Sequence, residues 1–204
     1  MHDSFRLDQG RAAERRAERR AALLPVDAVL SPLLASDADV LADVGCGHGF
    51  FTIPAALKLG RGKVLAVDTD AKALAETEKR AAEAGLTNVQ TILSEPYRIP
   101  VRDGAASAAL LATVLHEVAD KGRFLAEVRR LLGPGGRLAV VEFRKEFDGA
   151  GSDGRCDAGR FGPPAAERLS ADETERLLRE AGFAPAGTRL LSEAFYLTMA
   201  STPR

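Results

Sequence analysis

Two acidic residues and a cluster of glycines carry the first chemical signal. The stretch "VLADVGCGHGFF" spans residues 40–51, with Asp43 ahead of Gly45, Cys46, Gly47 and Gly49. Glycines at that spacing let a ligand approach the backbone closely. Asp68 follows at the end of the apolar run "KVLAVD". A carboxylate about 20 residues beyond a glycine loop can accept two hydrogen bonds from a ribose diol. Together they imply an adenosine-type ligand, NAD or S-adenosylmethionine (SAM). Phe50 stands where the third glycine of a dinucleotide loop would be, and is read instead as the first core-facing residue of the next helix. Asp43 before the loop would repel a pyrophosphate and attract an ammonium or sulfonium, and SAM carries both of those cations. A strand–turn–helix whose glycines serve packing alone is the remaining alternative.

The elements that position these residues alternate. Short apolar runs at 39–45, 63–68, 89–93, 107–113 and 137–143 read as buried strands. Helical stretches lie between them. These are 48–60, with Pro54 in its first turns, the Asp70-capped segment ending at Gly85, and 121–132, followed by the turn "GPGG". Ser170 and Glu173 predict a capping box for 171–182, and strands near 186–191 and 194–200 pair as a hairpin. The fold class is therefore α/β: a mainly parallel seven-stranded sheet, helices on both faces, and an antiparallel C-terminal hairpin. Residues 11–23 and 25–35 add a helical cap (1–36) to a single globular domain, with 37–204 as its main body. In such a sheet ligands bind at the carboxyl ends of the strands. Those ends deliver 43–49, 68–70, 94–96, 112–117 and 142–144.

Composition narrows the function. The 204 residues carry a net charge of −1, which favours neither nucleic acid nor an anionic membrane. Two cysteines, Cys46 and Cys156, cannot build a disulfide framework or a four-cysteine zinc site. His2, His48 and His116 lack metal-ligand spacing, so no metal is expected. No apolar run approaches the roughly 20 residues that span a bilayer. The Arg-rich "RAAERRAERR" contains Glu14 and Glu18, against a transit peptide, and the reading is a cytoplasmic protein. That stretch reads as a solvated helix over the ligand cleft, or alternatively as a nucleic-acid patch.

Four stretches in order resemble the class I SAM-dependent methyltransferases, and within them the small ubiquinone/menaquinone-methylase-like subgroup. They are "LADVGCGHG", "VLAVDTD", "SEPYRIPVRDGAASAALLATVLHEVAD" and "FLAEVRRLLGPGGRLAVVEF". The resemblance implies a Rossmann-like fold, SAM as cofactor, and methyl transfer to a small molecule. It places Asp43, Gly45, Cys46, Gly47 and Gly49 at the methionine end, Asp68 on the ribose, Thr69, Ser94 and Glu95 toward the adenine, and the Ala112 backbone near the ligand's ammonium. Pro96 departs from the pattern where a backbone N–H often reaches the adenine. Ala106–Ser107 replaces an aromatic–acid pair. Arsenic-methylating relatives use several cysteines, and two here count against that substrate. His116 is the candidate general base and Glu117 the second; the competing reading of His116 is a packing role at the strand–helix junction. The alternatives retained are an RNA or protein methyltransferase using the Arg-rich helix, and a SAM-binding protein with little catalysis.

Overall fold

The computed structural model describes residues 18–147 and 162–204. Cys156, His2 and most of the Arg-rich stretch and of the 148–164 segment lie outside these residues. Residues 18–23 are helical. Then follow α1 (Val26–Leu33), β1 (Val40–Val44), α2 (Thr52–Lys58), β2 (Lys63–Asp68), α3 (Ala71–Glu83), β3 (Val89–Leu93), β4 (Ala106–Ala112), α4 (Lys121–Leu131), β5 (Leu132–Phe143), α5 (Ala171–Glu180), β6 (Ala184–Leu190) and β7 (Phe195–Ser201).

The seven strands form one sheet in the order β3-β2-β1-β4-β5-β7-β6. The first five are parallel, and β7 runs antiparallel between β5 and β6. After β1 the chain builds outward to β3, then crosses back to lay β4 on the other side of β1. The strand order reverses there, and a crevice opens at the carboxyl ends.

Both faces of the sheet are covered, and the pleat divides the core between them. Ala108, Leu110 and Ala112 of β4 join Leu41, Val29, Leu30 and Leu33 on one side. Ala109 and Leu111 join Val44, Val67, Phe124, Leu125 and Val128 on the other. Alternate side chains of a strand face opposite ways, so a strand buried on both faces reads as a continuous apolar run. Leu24 and the buried residues of α1 share this core with the sheet.

Helix starts follow local chemistry. Asp70 accepts from Lys72 N at 2.8 Å and Asp120 from Arg123 N at 2.9 Å, each satisfying an N–H that has no partner within the helix. The Ser170–Glu173 capping box forms as expected. Several boundaries differ from the sequence reading. Residues 48–51 form the turn of the glycine loop, so the helix begins only at Thr52. "GPGG" is drawn into the start of β5, because Leu132 pairs with Ala106 across a register irregularity. Thr202 Oγ1 donates to Gly133 O and accepts from Gly136 N, fastening that stretch to the residues beyond β7.

Candidate cofactor and acceptor cleft

A cleft of about 1010 Å³ opens where the strand order reverses. Its floor is the glycine loop. The N–H groups of Gly45 and Cys46 both donate to Val67 O, at 2.8 and 3.0 Å, which pins the loop onto β2. Gly45, Gly47 and Gly49 have φ of +74°, +53° and +79°, a region that side chains with a Cβ enter only at a cost. The three differ in what surrounds them. A Cβ on Gly45 would lie 2.4 Å from Val114 Cγ2, one on Gly49 would press on Thr77, and one on Gly47 would meet nothing within 4 Å. Gly47 is therefore bare toward the cleft, as a backbone cradle for a ligand must be. From α3, Thr77 Oγ1 donates to Gly47 O and Arg80 to His48 O, clamping the loop from behind.

Asp68 ties this loop to the end of β2. Its Oδ2 accepts from Gly47 N at 2.8 Å and its Oδ1 from Asp70 N at 3.0 Å. Each carboxylate oxygen has a second acceptor site, so Asp68 is held in place and can still accept two hydrogen bonds from a diol.

Gly45, Cys46, Gly47, Asp68, Thr69, Ser94, Glu95, Ala112 and Glu117 all line the cleft. Ser94 N donates to Asp68 O, and Glu95 and Arg98 exchange backbone hydrogen bonds, which fixes the turn after β3. Cys46 is buried, and burial with the charges of Asp43 and Asp68 pushes its thiol far above the ordinary range; it is an inert packing residue.

Asp43, Gly49 and His116 stand apart from the cleft lining. Asp43 lies on the same face of β1 as Leu41 and so points into the α2 layer, where its Oδ2 accepts from Thr52 Oγ1 at 2.6 Å. Burial pushes its carboxyl up to about 6, against the pull of Thr52 and Arg20. Its charge can act on a ligand through space but its oxygens face the core. Gly49 packs the loop on α3. His116 sits behind the aromatic Phe143 ring, with centroids 5.9 Å apart. Its Nδ1 lies 2.6 Å from Glu142 Oε2, and the backbone N–H of His116 donates to Glu142 Oε1. Its Nε2 faces Glu117 Oε1 at 3.7 Å. Burial alone would pull the imidazole down, but Glu142 and Glu117 outweigh it and hold His116 above its ordinary value. The expected base therefore reaches the cleft only through Glu117, whose side chain is 74% exposed.

Phe50 also differs from its expectation. It lines the cleft, and Phe51 is the residue that enters the core, at 2% exposure. The helix begins at Thr52, four residues later than the helix reading assumed, which leaves Phe50 in the turn of the loop. Arg20, Tyr97, Ile99, Val114, Phe124 and Phe143 line the cleft as well. Tyr97 and Ile99 lie in the quoted stretch that follows β3, where nothing singles them out, and Arg20 comes from the end of the Arg-rich stretch read as a helix over the cleft.

Gly47 open to the cleft, Asp68 with free acceptor sites, and apolar walls at Ile99 and Phe124 fit an adenosine with a cationic tail. Residues 42–140, from β1 into β5, match the family model described as a methyltransferase domain. That stretch, just under half of the chain, is similar to a methyltransferase domain. S-adenosylmethionine is its cofactor, supported also by a SAM-dependent methyltransferase structure from Aquifex aeolicus. That structure superposes with a TM-score of 0.79 at 26% identity, covering 89% of this chain and 92% of the other. The chain is also similar to curated proteins. A 27-O-demethylrifamycin SV methyltransferase from Amycolatopsis mediterranei is 26% identical over 89% of this chain and 64% of its own. A ubiquinone/menaquinone biosynthesis C-methyltransferase from Marinomonas sp. is 31% identical over 50% of this chain and 42% of its own. The chain thus spans less than two thirds of the length of either of these curated relatives. No group of His, Cys, Asp and Glu suited to a metal occurs among the described residues, and no described helix is long and apolar enough to cross a membrane.

Proposed function

We propose that the protein transfers a methyl group from SAM to a small-molecule acceptor in the cytoplasm. The observation that carries this is the joined pair Gly47–Asp68, which sets a bare backbone beside a carboxylate with free acceptor sites. At about 1010 Å³ the cleft is at the upper end of the range for ligand pockets, leaving room for an acceptor beside the cofactor. The relatives named for rifamycin and quinone methylation support a small acceptor. The alternative of an RNA or protein acceptor rests on the Arg-rich stretch, most of which lies outside the described residues.

SAM supplies the activated methyl; the protein supplies binding, orientation and, where the acceptor carries a proton, a base. Gly45, Cys46, Gly47, Asp68, Thr69, Ser94, Glu95 and Ala112 would hold the cofactor, with Asp43 and Gly49 supporting the loop from behind. Aligning acceptor and methyl donor can by itself contribute about 7–11 kcal/mol. Glu117 touches the cleft and is the group placed to take a proton. His116, fixed by Glu142, is a positioning residue for Glu117.

Thermal unfolding should shift upward with SAM and with S-adenosylhomocysteine but not with NAD, and labelled methyl should pass into a metabolite pool rather than RNA or protein. A shift with NAD alone would refute the assignment. Glu117→Gln should lower kcat by about 10²-fold or more while leaving S-adenosylhomocysteine affinity unchanged. His116→Gln should lower kcat too, and the double variant should be no worse than Glu117→Gln alone, because residues acting as a unit are not additive. Independent, additive losses would separate His116 from Glu117, and an unchanged Glu117→Gln would mean that the reaction needs no base.

A further inference from the structure

Arg20 is held in the cleft by less than a desolvated guanidinium requires. It comes from the helical segment 18–23 and lines the cleft. Its Nη2 donates to Thr113 Oγ1 at 3.3 Å, and its guanidinium lies 5.0 Å from the centre of the Phe50 ring. Its Nε is buried and has no hydrogen-bond partner among the described residues. Asp43 and Glu117 act on it through space without forming an ion pair, and burial draws its pKa below the ordinary range. A buried polar group without a partner costs about 1–3 kcal/mol, and more when it is charged.

The surroundings are shaped to present this cation. Thr113 has φ +61°, the one residue other than glycine with positive φ among the described residues. For a β-branched residue that backbone is strained, and such strain concentrates at functional sites. It persists because Thr113 N donates to Val141 O at 2.7 Å and Thr113 Oγ1 donates to Ala112 O at 2.6 Å. The hydroxyl is thereby left with its lone pairs toward Arg20. The glycine loop, whose Phe50 ring faces the guanidinium, stands beside it, and Asp43 behind that loop acts on Arg20 through space.

We infer that Arg20 grips the α-carboxylate of the cofactor's methionine end, so that the N-terminal cap forms part of the cofactor site. An α-amino acid head carries a carboxylate and an ammonium a few ångströms apart, and it needs a fixed cation beside a region of negative potential. Arg20 against Thr113 and Phe50, with Asp43 beneath, has that polarity. A guanidinium offers five donors in a planar fork that matches a carboxylate, and the Nε that lacks a partner belongs to that fork. The assignment rests on the SAM reading above, and the test separates the two.

Calorimetric affinities for S-adenosylhomocysteine and for methylthioadenosine, which keeps the adenosine and thioether but lacks the amino acid head, should be compared in the wild type and two variants. Arg20→Met keeps a long apolar stem over Phe50 and removes the charge. It should weaken S-adenosylhomocysteine by about 10–100-fold, the range for losing hydrogen bonds to a charged group, and leave methylthioadenosine within about twofold. Arg20→Lys should recover part of the loss. Equal weakening of both ligands would make Arg20 a structural residue and overturn the inference, as would an unchanged S-adenosylhomocysteine affinity. A wild type that binds neither ligand would remove the cofactor reading, and the inference with it.

Discussion

Asp68→Ala should lower the affinity for SAM and for S-adenosylhomocysteine by about 10²–10⁴-fold, as expected for two lost hydrogen bonds to a carboxylate at roughly 1.5–3 kcal/mol each. The residue has two jobs that one truncation removes together. It offers free acceptor sites toward the cleft, and it holds Gly47 N at 2.8 Å and Asp70 N at 3.0 Å. Asp68→Asn separates them, because an amide keeps one acceptor oxygen but cannot accept at both positions as the carboxylate does. It should fall between wild type and Asp68→Ala in calorimetry. Because Asp68 lies at the rim of the cleft rather than in the apolar core, the thermal midpoint without ligand should change far less than the midpoint with ligand. Full affinity in Asp68→Ala would place the ribose elsewhere.

The second large effect lies at the opposite end of the sheet. Gly62 precedes β2, and a Cβ there would stand 2.0 Å from Asp39 O and 2.9 Å from Ala38 C. These are backbone atoms in a turn that cannot yield easily. Arg61 N and Gly62 N both donate to Asp37 O, at 3.0 and 2.8 Å, and Lys63 N donates to Asp39 O. Overpacking of this kind costs about 1–3 kcal/mol where side chains can move, and Gly62→Ala should reach or exceed the top of that range. Urea unfolding should show a lower midpoint at an unchanged slope, while the folded fraction binds S-adenosylhomocysteine normally. A loss below about 1 kcal/mol would mean that the turn from Asp37 to Lys63 rearranges.

The two cases also show what the sequence makes legible. The order of strands and helices could be read because β1, β2, β4 and β5 appear as apolar runs buried on both faces, whereas β3, at the sheet edge, departs from the reading of a buried strand and has only Ile92 covered. The Ser170–Glu173 box could be read because its chemistry is local. Asp68 could be read because its place at a strand end follows from the same pattern. Orientation was harder. Asp43 precedes the glycine loop in sequence, yet the pleat turns its carboxyl toward Thr52, a fact set by strand register rather than by spacing. Phe51 rather than Phe50 enters the core because the turn of the loop runs through residue 51 before the helix begins. His116 follows β4 at the ligand-facing end, but Glu142, from the neighbouring strand, captures its ring. Arg20 closes the Arg-rich stretch read as a helix over the cleft, but nothing local set it apart from the other arginines. It reaches Thr113 across 93 positions of chain, and only tertiary packing brings the two together.

The place where the strand order reverses has a consequence for folding kinetics. Leu41 pairs with Ala108 and Val44 with Leu111, joining a half-sheet of β3, β2 and β1 to one of β4, β5, β7 and β6. That seam is closed by residues far apart in the chain, and closure entropy rises with the length of chain enclosed. Cleft-lining residues sit on both banks of it, Gly45 and Asp68 on one side, Ala112 and Thr113 on the other. A molecule bound there bridges the halves. At a hundred times its dissociation constant it adds about 2.7 kcal/mol to the folded state, applied across a contact between distant parts of the chain. Occupancy should therefore lengthen the lifetime of the whole fold, so that the abundance of the protein tracks the supply of its methyl donor.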